Sequence, residues 1–261
     1  MISRRWGLAL LVFLAVAVTA ICCTLPRIPQ PLSYHLFADR RPLLGIPNFG
    51  DVASNLPFAV IGIWGLSFLR QCRLNPAGHF IDPREQWPYL FVFAGLLLTA
   101  LGSSWYHLNP NNATLVWDRL PMTITFMSMV AAVIAERIGV RLGLCLLPIL
   151  ICIGLGSVLQ WNWSQTHGAG DLRFYAAVQA YSAMAILVAL FLPARYTRGR
   201  DLALVVVFYV LAKVLEFYDK QIFSALRVVS GHTLKHLAAA TAGYFILHMV
   251  LKRQPVVGTD H

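Results

Sequence analysis

Long apolar runs separated by short polar stretches make up most of the chain. A membrane-spanning helix needs about 20 mostly apolar residues, and we interpret eight runs as such helices. Neither the strict alternation typical of strands nor an internal repeat stands out. The pattern predicts an all-α polytopic membrane bundle with helices at approximately 6–25, 53–70, 88–107, 120–136, 141–160, 173–194, 201–217 and 232–251.

Composition supports a membrane protein with a single compact domain. Of the 261 residues, 58% are hydrophobic and 12% are charged, whereas soluble domains contain about 25% charged residues. The formal net charge is +10, but the basic residues lie in short clusters between the apolar runs and do not form one patch. This distribution is typical of cytoplasmic loops and argues against nucleic acid as a partner.

Lysine and arginine also predict the orientation of the bundle. With the N-terminus inside, twelve of them fall on the inner side and eight on the outer side, so both termini are predicted to be cytoplasmic. The first run follows Arg4 and Arg5, as in a signal peptide. It is long for one, and the stretch from Cys22 to Pro26 is a poor cleavage site. We therefore favour an uncleaved anchor helix within residues 1–30.

Ionisable residues collect at one predicted membrane face. His107 ends the third run, Asp118 opens the fourth, and the eighth begins with His232 and His236. The predicted topology puts all four at the outer face, and ionisable residues at membrane depth are costly and usually functional. Residues four apart share a helix face, so His232 and His236 point the same way, and Ser103 shares the face of His107.

Three histidines that leave one coordination position open are the ligand set of hydrolytic zinc sites, in which zinc lowers the pKa of a bound water to about 7. Taken singly, His107 suits an interfacial cap, and Asp118 suits a helix N-cap close to Pro121. Their combination at one face favours a metal site, and His35 in the outer N-terminal loop could line its entrance.

The alternative is a receptor-like sensor with structural zinc. Such a site has four protein ligands, and no fourth ligand is obvious.

The polar set resembles the motifs of the CREST superfamily of seven-helix membrane hydrolases, which includes the alkaline ceramidases and the adiponectin and progestin receptors. These motifs are S-x3-H, an aspartate and H-x3-H, found here at Ser103–His107, Asp118 and His232–His236. Two further stretches resemble ceramidase segments, Asn48–Gly65 and, from the bacterial alkaline ceramidase-like proteins, Leu211–Ala240. The resemblance covers about residues 45–252. It implies a seven-helix membrane domain there, with an additional N-terminal helix before it and a short tail at 253–261.

The resemblance also implies a role for each residue of the set. The zinc ligands would be the three histidines, His107, His232 and His236. Asp118 would orient the attacking water and shuttle its proton. Ser103 would steady the zinc site or the developing oxyanion, with Ser104 as a rival because it also faces the third-run histidine.

The implied activity is hydrolysis of the amide bond of ceramide or a related N-acyl lipid, giving a fatty acid and an amine lipid, in the inner membrane of a bacterium. The lipid would enter from the bilayer because the site lies at membrane depth. Eukaryotic alkaline ceramidases also have a calcium site built from an acidic stretch and a glutamate. Asn48 stands at that glutamate position, and Asp39 and Asp51 do not rebuild the pattern, so a calcium site is not predicted.

Overall fold

The structure is a computed structural model that describes residues 2–74, 78–168 and 170–256. In these residues the chain forms α-helices joined by short connections, with 3₁₀ turns at Leu32–His35 and Pro83–Glu85. The helices are α1 (Arg4–Thr24), α2 (Phe49–Ala53), α3 (Leu56–Leu74), α4 (Gln86–Leu108), α5 (Asn112–Arg137), α6 (Val140–Thr166), α7 (Arg173–Leu190), α8 (Gly199–Phe217), α9 (Asp219–Leu226) and α10 (Gly231–Lys252).

Most of the long helices are suited to crossing a membrane. Within the described ranges, seven segments are long and apolar enough to do so: Arg4–Thr24, Phe49–Leu74, Pro83–Leu108, Asn112–Arg137, Val140–Thr166, Arg173–Leu190 and Gly231–Lys252. The prediction of an all-α polytopic membrane bundle is confirmed.

Helix α8 is the predicted span that the seven segments do not include, because charged residues lie near both of its ends. It nevertheless runs antiparallel to α10 over its whole length. Arg198, just before α8, contacts His248 near the end of α10 at 3.0 Å. At the other end, Glu216 of α8 pairs with Lys235 near the start of α10 at 2.7 Å.

Helix α5 begins at Asn112, well before the predicted start near residue 120. The reason is a capping box, in which the Asn111 side chain accepts from the backbone N–H groups of Ala113 and Thr114, while the Thr114 hydroxyl accepts from the Asn111 N–H. Asp118 therefore lies inside the helix, and its interpretation as the helix N-cap is wrong.

Other boundaries differ for local reasons. The second predicted run, 53–70, falls mostly in α3, and the short helix α2 before it was not predicted. The two helices are separated because the Ser54 and Asn55 side chains both donate to the Asp51 carbonyl, at 3.1 and 2.8 Å, in competition with the helical bonds. Helix α7 ends at Leu190, four residues before the predicted end, with Pro193 close behind it. Helix α9 is an eight-residue amphipathic helix that was not predicted.

Two helices approach each other unusually closely beside the polar residues. A Cβ added to Gly102 of α4 would lie 2.0 Å from the Trp117 carbonyl oxygen of α5. Because only glycine permits this distance, the next residues, Ser103 and Asp118, come to lie opposite each other. Helix α5 is also the most buried of the candidate spans, with 78% of its most apolar stretch inside the bundle.

The opposite end of the bundle is closed by Arg253, directly after α10. Its guanidinium is buried and forms an ion pair with Glu136 of α5. It also lies over the rings of Phe80, Tyr89 and Tyr196, at 4.4, 5.1 and 4.1 Å. The predicted tail thus begins with a packed residue, and its last five residues, 257–261, lie outside the described residues.

Candidate metal centre

Three histidines from two helices converge in one place. His107 lies in the last turn of α4, and His232 and His236 lie in the first two turns of α10. Each offers one ring nitrogen, and these nitrogens all lie within 4.8 Å of one another. The three side chains are buried, with 0 to 4% exposure. The grouping of these residues predicted from the sequence is therefore present in the structure, in a geometry that could hold one metal ion.

His107 fits this use because its polar atoms are otherwise unsatisfied. Neither of its ring nitrogens has a hydrogen-bond partner among the residues that the structure describes. A buried polar group without a partner costs about 1–3 kcal/mol, and buried polar groups are normally paired. A metal ion bound to one nitrogen would remove part of that cost.

His236 is held with one nitrogen free. Its Nδ1 lies 2.8 Å from the Ser54 hydroxyl oxygen, and that hydroxyl already donates its proton to the Asp51 carbonyl at 3.1 Å. The hydroxyl can therefore only accept from Nδ1–H, which leaves Nε2 as the ligand atom. A hydrogen bond of this kind commonly fixes the ring of a metal-binding histidine.

The end of α4 that carries His107 is held through its backbone carbonyl. Asn48 adopts a left-handed conformation with φ 47°, and its side-chain amide donates to the His107 carbonyl at 2.8 Å.

The nearby carboxylates bind protein groups: Asp39 pairs with Arg41, and Asp51 accepts from the Thr233 hydroxyl at 2.7 Å.

Asp118 and Ser103 interact with each other and are not part of the histidine group. The group of possible ligands in the described part of the chain contains the three histidines and no carboxylate. The Ser103 hydroxyl, one turn before His107, interacts with the Asp118 carboxylate, which also interacts with Lys235. Ser104 instead donates to the Val52 carbonyl at 3.5 Å. Ser103 is thus the serine that faces the predicted acid–base residue.

A loop before α2 covers the histidines on one side. Phe37 packs its ring against those of His107 and His232, with centroids 4.7 and 4.4 Å apart. The loop is held by Asp219, at the start of α9, whose carboxylate accepts from the Ala38 N–H at 2.9 Å and from the His232 N–H at 2.8 Å. We call residues 35–41 the covering loop.

Two further contacts anchor the covering loop. Arg41 donates to the carbonyl oxygens of Arg227 and Val228 at 3.2 and 2.8 Å, and its hydrogen bonds to Asp39 lower the pKa of that carboxyl below its usual value. His35, predicted to line the entrance, contacts the Tyr106 hydroxyl at 2.8 Å and the Asn112 side chain at 2.9 Å. It therefore ties the loop to the ends of α4 and α5.

A cavity of about 130 Å³ lies between α3, α4, α5, α7, α8 and α10. Its walls are mostly apolar, as in sites that hold alkyl chains. Charged residues lie at one place in the wall, namely Lys213, Glu216 and Lys235. The three histidines are not among the lining residues, but the Lys235 ammonium is 3.3 Å from Nε2 of His232, so one residue of the wall contacts the histidine group.

Sequence analysis missed several residues that shape the site. Glu216 could have been found, because an acidic residue inside a predicted membrane helix is a functional signal in its own right. Phe37 and Ser54 carry no such signal, since their importance depends on contacts with residues far away in sequence.

Comparison with known proteins adds no relative to these observations. No protein-family model matches the chain, and no curated protein is significantly similar to it in sequence. The site is therefore described by its own residues, as a buried group of three imidazoles that contacts the wall of an apolar cavity through Lys235.

Proposed function

We propose that the protein is an integral-membrane, zinc-dependent hydrolase that cleaves the amide bond of ceramide or a related N-acyl lipid to a fatty acid and an amine lipid. The observation behind this proposal is the group of three buried imidazoles, which Lys235 connects to the wall of an apolar cavity. A metal site in that position suits a lipid whose polar bond, and not its chain, has to reach the metal.

The donor set favours zinc with an open coordination position. Imidazole suits zinc, and three protein ligands with one position left for water or substrate are typical of catalytic sites. Zinc bound there would polarise the scissile carbonyl and make the attacking water more acidic. A structural site, as in a receptor-like sensor, would use four protein ligands, whereas the group formed by the described residues has three.

The remaining chemistry falls to Asp118 and Ser103. Asp118 accepts a proton from the attacking water and returns it to the nitrogen of the leaving amine, which is the general acid–base role expected of a carboxylate beside the reaction centre. Ser103 contacts that carboxylate and orients it. Ser54 keeps His236 in the rotamer and tautomer that present Nε2 to the metal.

The cavity accounts for the choice of a lipid. A long alkyl chain loses unfavourable contact with water when it enters an apolar space. With the chain in the cavity, the carbonyl at its end comes to lie beside Lys235, the wall residue that contacts His232.

The direct test is lipid turnover by the purified protein in detergent, with and without a zinc chelator. Release of fatty acid from an N-acyl sphingoid lipid should stop on chelation and return when zinc is restored. A matched ester of the same acyl chain would show whether the amide is preferred. Zinc-containing protein that hydrolyses neither lipid, although it binds them, would favour the sensor.

A further inference from the structure

A second cleft, of about 260 Å³, lies at the end of the bundle opposite the histidine group, between the end of α3 and the start of α4. It is much larger than the space of about 10–15 Å³ that one water needs. His79 lines it, and the His79 carbonyl accepts from Arg253, which closes this end of the bundle, at 3.0 Å. The His79 ring also packs edge-on against Phe68 of α3, with centroids 5.1 Å apart. These contacts fix one wall of the cleft.

The lining of this cleft is positively charged. Among the described residues it includes two arginines, Arg73 and Arg84, and no carboxylate. Arg84 pairs with Asp82 at 2.7 Å, whereas Arg73 forms no ion pair with any residue that the structure describes. The Arg73 guanidinium lies over the Trp87 ring, 4.7 Å from its centroid, which holds the cation in place without neutralising it. The cleft therefore offers one unpaired positive charge to an anion.

Two polar atoms of the same lining are buried without a partner. Gln86, the first residue of α4, is 5% exposed, and its Oε1 has no hydrogen bond to a described residue. The Nδ1 of His79 is in the same condition. Buried polar atoms are normally paired, because leaving them unpaired is costly. Since an amide oxygen only accepts, the ligand that suits this cleft has a hydrogen-bond donor as well as a negative charge.

The position of the cleft favours a lipid over a soluble ligand. Two candidate membrane spans, Phe49–Leu74 and Pro83–Leu108, have their ends here, and the ends of spanning helices lie at the level of the lipid head groups. Exposed apolar side chains adjoin the cleft, namely Leu74 (69%), Ile81 (46%) and Trp87 (46%). A tryptophan at the start of a span is typical of the membrane interface. A lipid with its head group in the cleft would bring its apolar part against these side chains.

We propose that this cleft binds an anionic phospholipid whose phosphodiester carries an uncharged alcohol with free hydroxyl groups, as in phosphatidylglycerol. Arg73 contacts the phosphate, and a hydroxyl of the head group donates to Oε1 of Gln86. Basic pockets between membrane helices are suited to such head groups. An ethanolamine head group also has donors, but its ammonium group would be repelled by Arg73. The site lies far from the three histidines, so it does not depend on the proposed hydrolysis.

Binding of single lipids to the purified protein in neutral detergent tests the proposal, with native mass spectrometry as the readout. Phosphatidylglycerol is compared with phosphatidylmethanol, which has the same charge but no hydroxyl, and with zwitterionic phosphatidylethanolamine. Phosphatidylglycerol should bind roughly 2- to 10-fold more tightly than phosphatidylmethanol, the range expected for one neutral hydrogen bond, and phosphatidylethanolamine should bind most weakly. Equal binding of the three lipids by the wild type would overturn the proposal.

Arg73→Met should weaken the binding of phosphatidylglycerol by roughly 10-fold, as expected for loss of a hydrogen bond from a charged group. Arg73 is exposed, so this variant should fold normally. Arg70→Met is the matched control, because Arg70 lies one turn earlier on α3, is also exposed and does not line the cleft. Its binding should stay within about 2-fold of the wild type, since solvent and salt screen exposed charges. Equal losses in the two variants would indicate non-specific attraction and contradict the site.

Gln86→Met removes the unpartnered oxygen from the lining. This variant should bind phosphatidylglycerol and phosphatidylmethanol equally, and a surviving preference for phosphatidylglycerol would contradict the contact with Gln86. Because Gln86 is buried, its replacement could destabilise the protein. The comparison of lipids with the wild type and the Arg73→Met variant test the proposal without it.

Glycerophosphoglycerol, which is the same head group without acyl chains, distinguishes a lipid from a soluble phosphodiester. It should displace phosphatidylglycerol only at much higher concentration, and displacement at equal concentration would overturn the assignment to a lipid. Thermal unfolding gives a second readout, because a ligand that binds only the folded protein raises its unfolding temperature. Phosphatidylglycerol should raise this temperature for the wild type and for Arg70→Met, and much less for Arg73→Met. Zinc removal should leave these differences unchanged.

Discussion

At the scale of single residues, metal binding can be tested within α10, because this helix carries two histidines of the group and a third histidine outside it. His232 and His236 belong to the histidine group, whereas His248 lies about three turns further along the same helix, next to Asp201 at 3.1 Å. The purified protein is expected to contain close to one zinc ion per chain. His232→Ala or His236→Ala should lose most of it, and His248→Ala should keep it, as measured by elemental analysis. Full zinc retention in the His232→Ala/His236→Ala double variant would contradict the metal site.

Asp118 should affect chemistry more than metal retention. Asp118→Asn preserves the shape of the side chain but removes the base, and general acid–base groups are typically worth about 10²–10⁴-fold in rate. Hydrolysis should fall by that factor while the zinc content stays the same. Asp201→Asn changes a comparably buried aspartate at the far end of the bundle and should leave the rate near that of the wild type. Normal turnover in Asp118→Asn would mean a structural role, and loss of zinc would make Asp118 a ligand.

Sequence could identify the histidines but not the residues that hold them in place. His107, His232 and His236 are conspicuous because they interrupt apolar runs, and the helical repeat relates two of them directly. Ser54 contacts His236 across 182 positions, and Phe37 reaches His232 through a loop without regular structure. Contacts of this kind depend on how the helices pack, and no local pattern encodes them.

At the scale of helices, the contact between α4 and α5 should be sensitive to a single methyl group. Gly102→Ala would put a Cβ 2.0 Å from the Trp117 carbonyl oxygen, so the helices must separate. Overpacking of this kind costs about 1–3 kcal/mol. The displacement of Ser103 from Asp118 should lower the rate as well. Thermal unfolding in detergent and lipid turnover would measure the two effects.

Gly156 of α6 provides the matched control for that substitution. A Cβ added there would point into open space, so Gly156→Ala should leave activity unchanged and alter the unfolding free energy by no more than about 1 kcal/mol. Equal effects of the two substitutions would show that the close approach at Gly102 is not needed to position the site.

Helices were predictable to the extent that apolar length defines them. The long apolar runs all became helices, because a segment surrounded by lipid must satisfy its own backbone hydrogen bonds. Helix α9 was missed because it is short and half polar, and its place is set by Asp219, which links the covering loop to α10. The early start of α5 depends on the capping box formed by the side chains of Asn111 and Thr114. Both residues are polar, so a search for apolar runs does not detect them.

At the scale of the whole molecule, the distribution of lysine and arginine predicts both termini in the cytoplasm and the histidine group near the outer face. A reporter that is active only in the cytoplasm, fused after His261, should be active. A truncated fusion after Pro31, beyond α1, should be inactive because it would lie on the other side. The reverse pattern would invert the topology and place the histidine group at the inner face.

The histidine group is assembled from the third long helix and the last one, and this has a consequence for biosynthesis. When α4 leaves the ribosome, roughly 130 residues are still to be made before His236 follows, which takes about 6–26 s at about 5–20 residues per second. During that time the nascent chain contains one histidine of the three and no completed cavity. A chain truncated before α10 would lack two of the three histidines and could not form the proposed metal site.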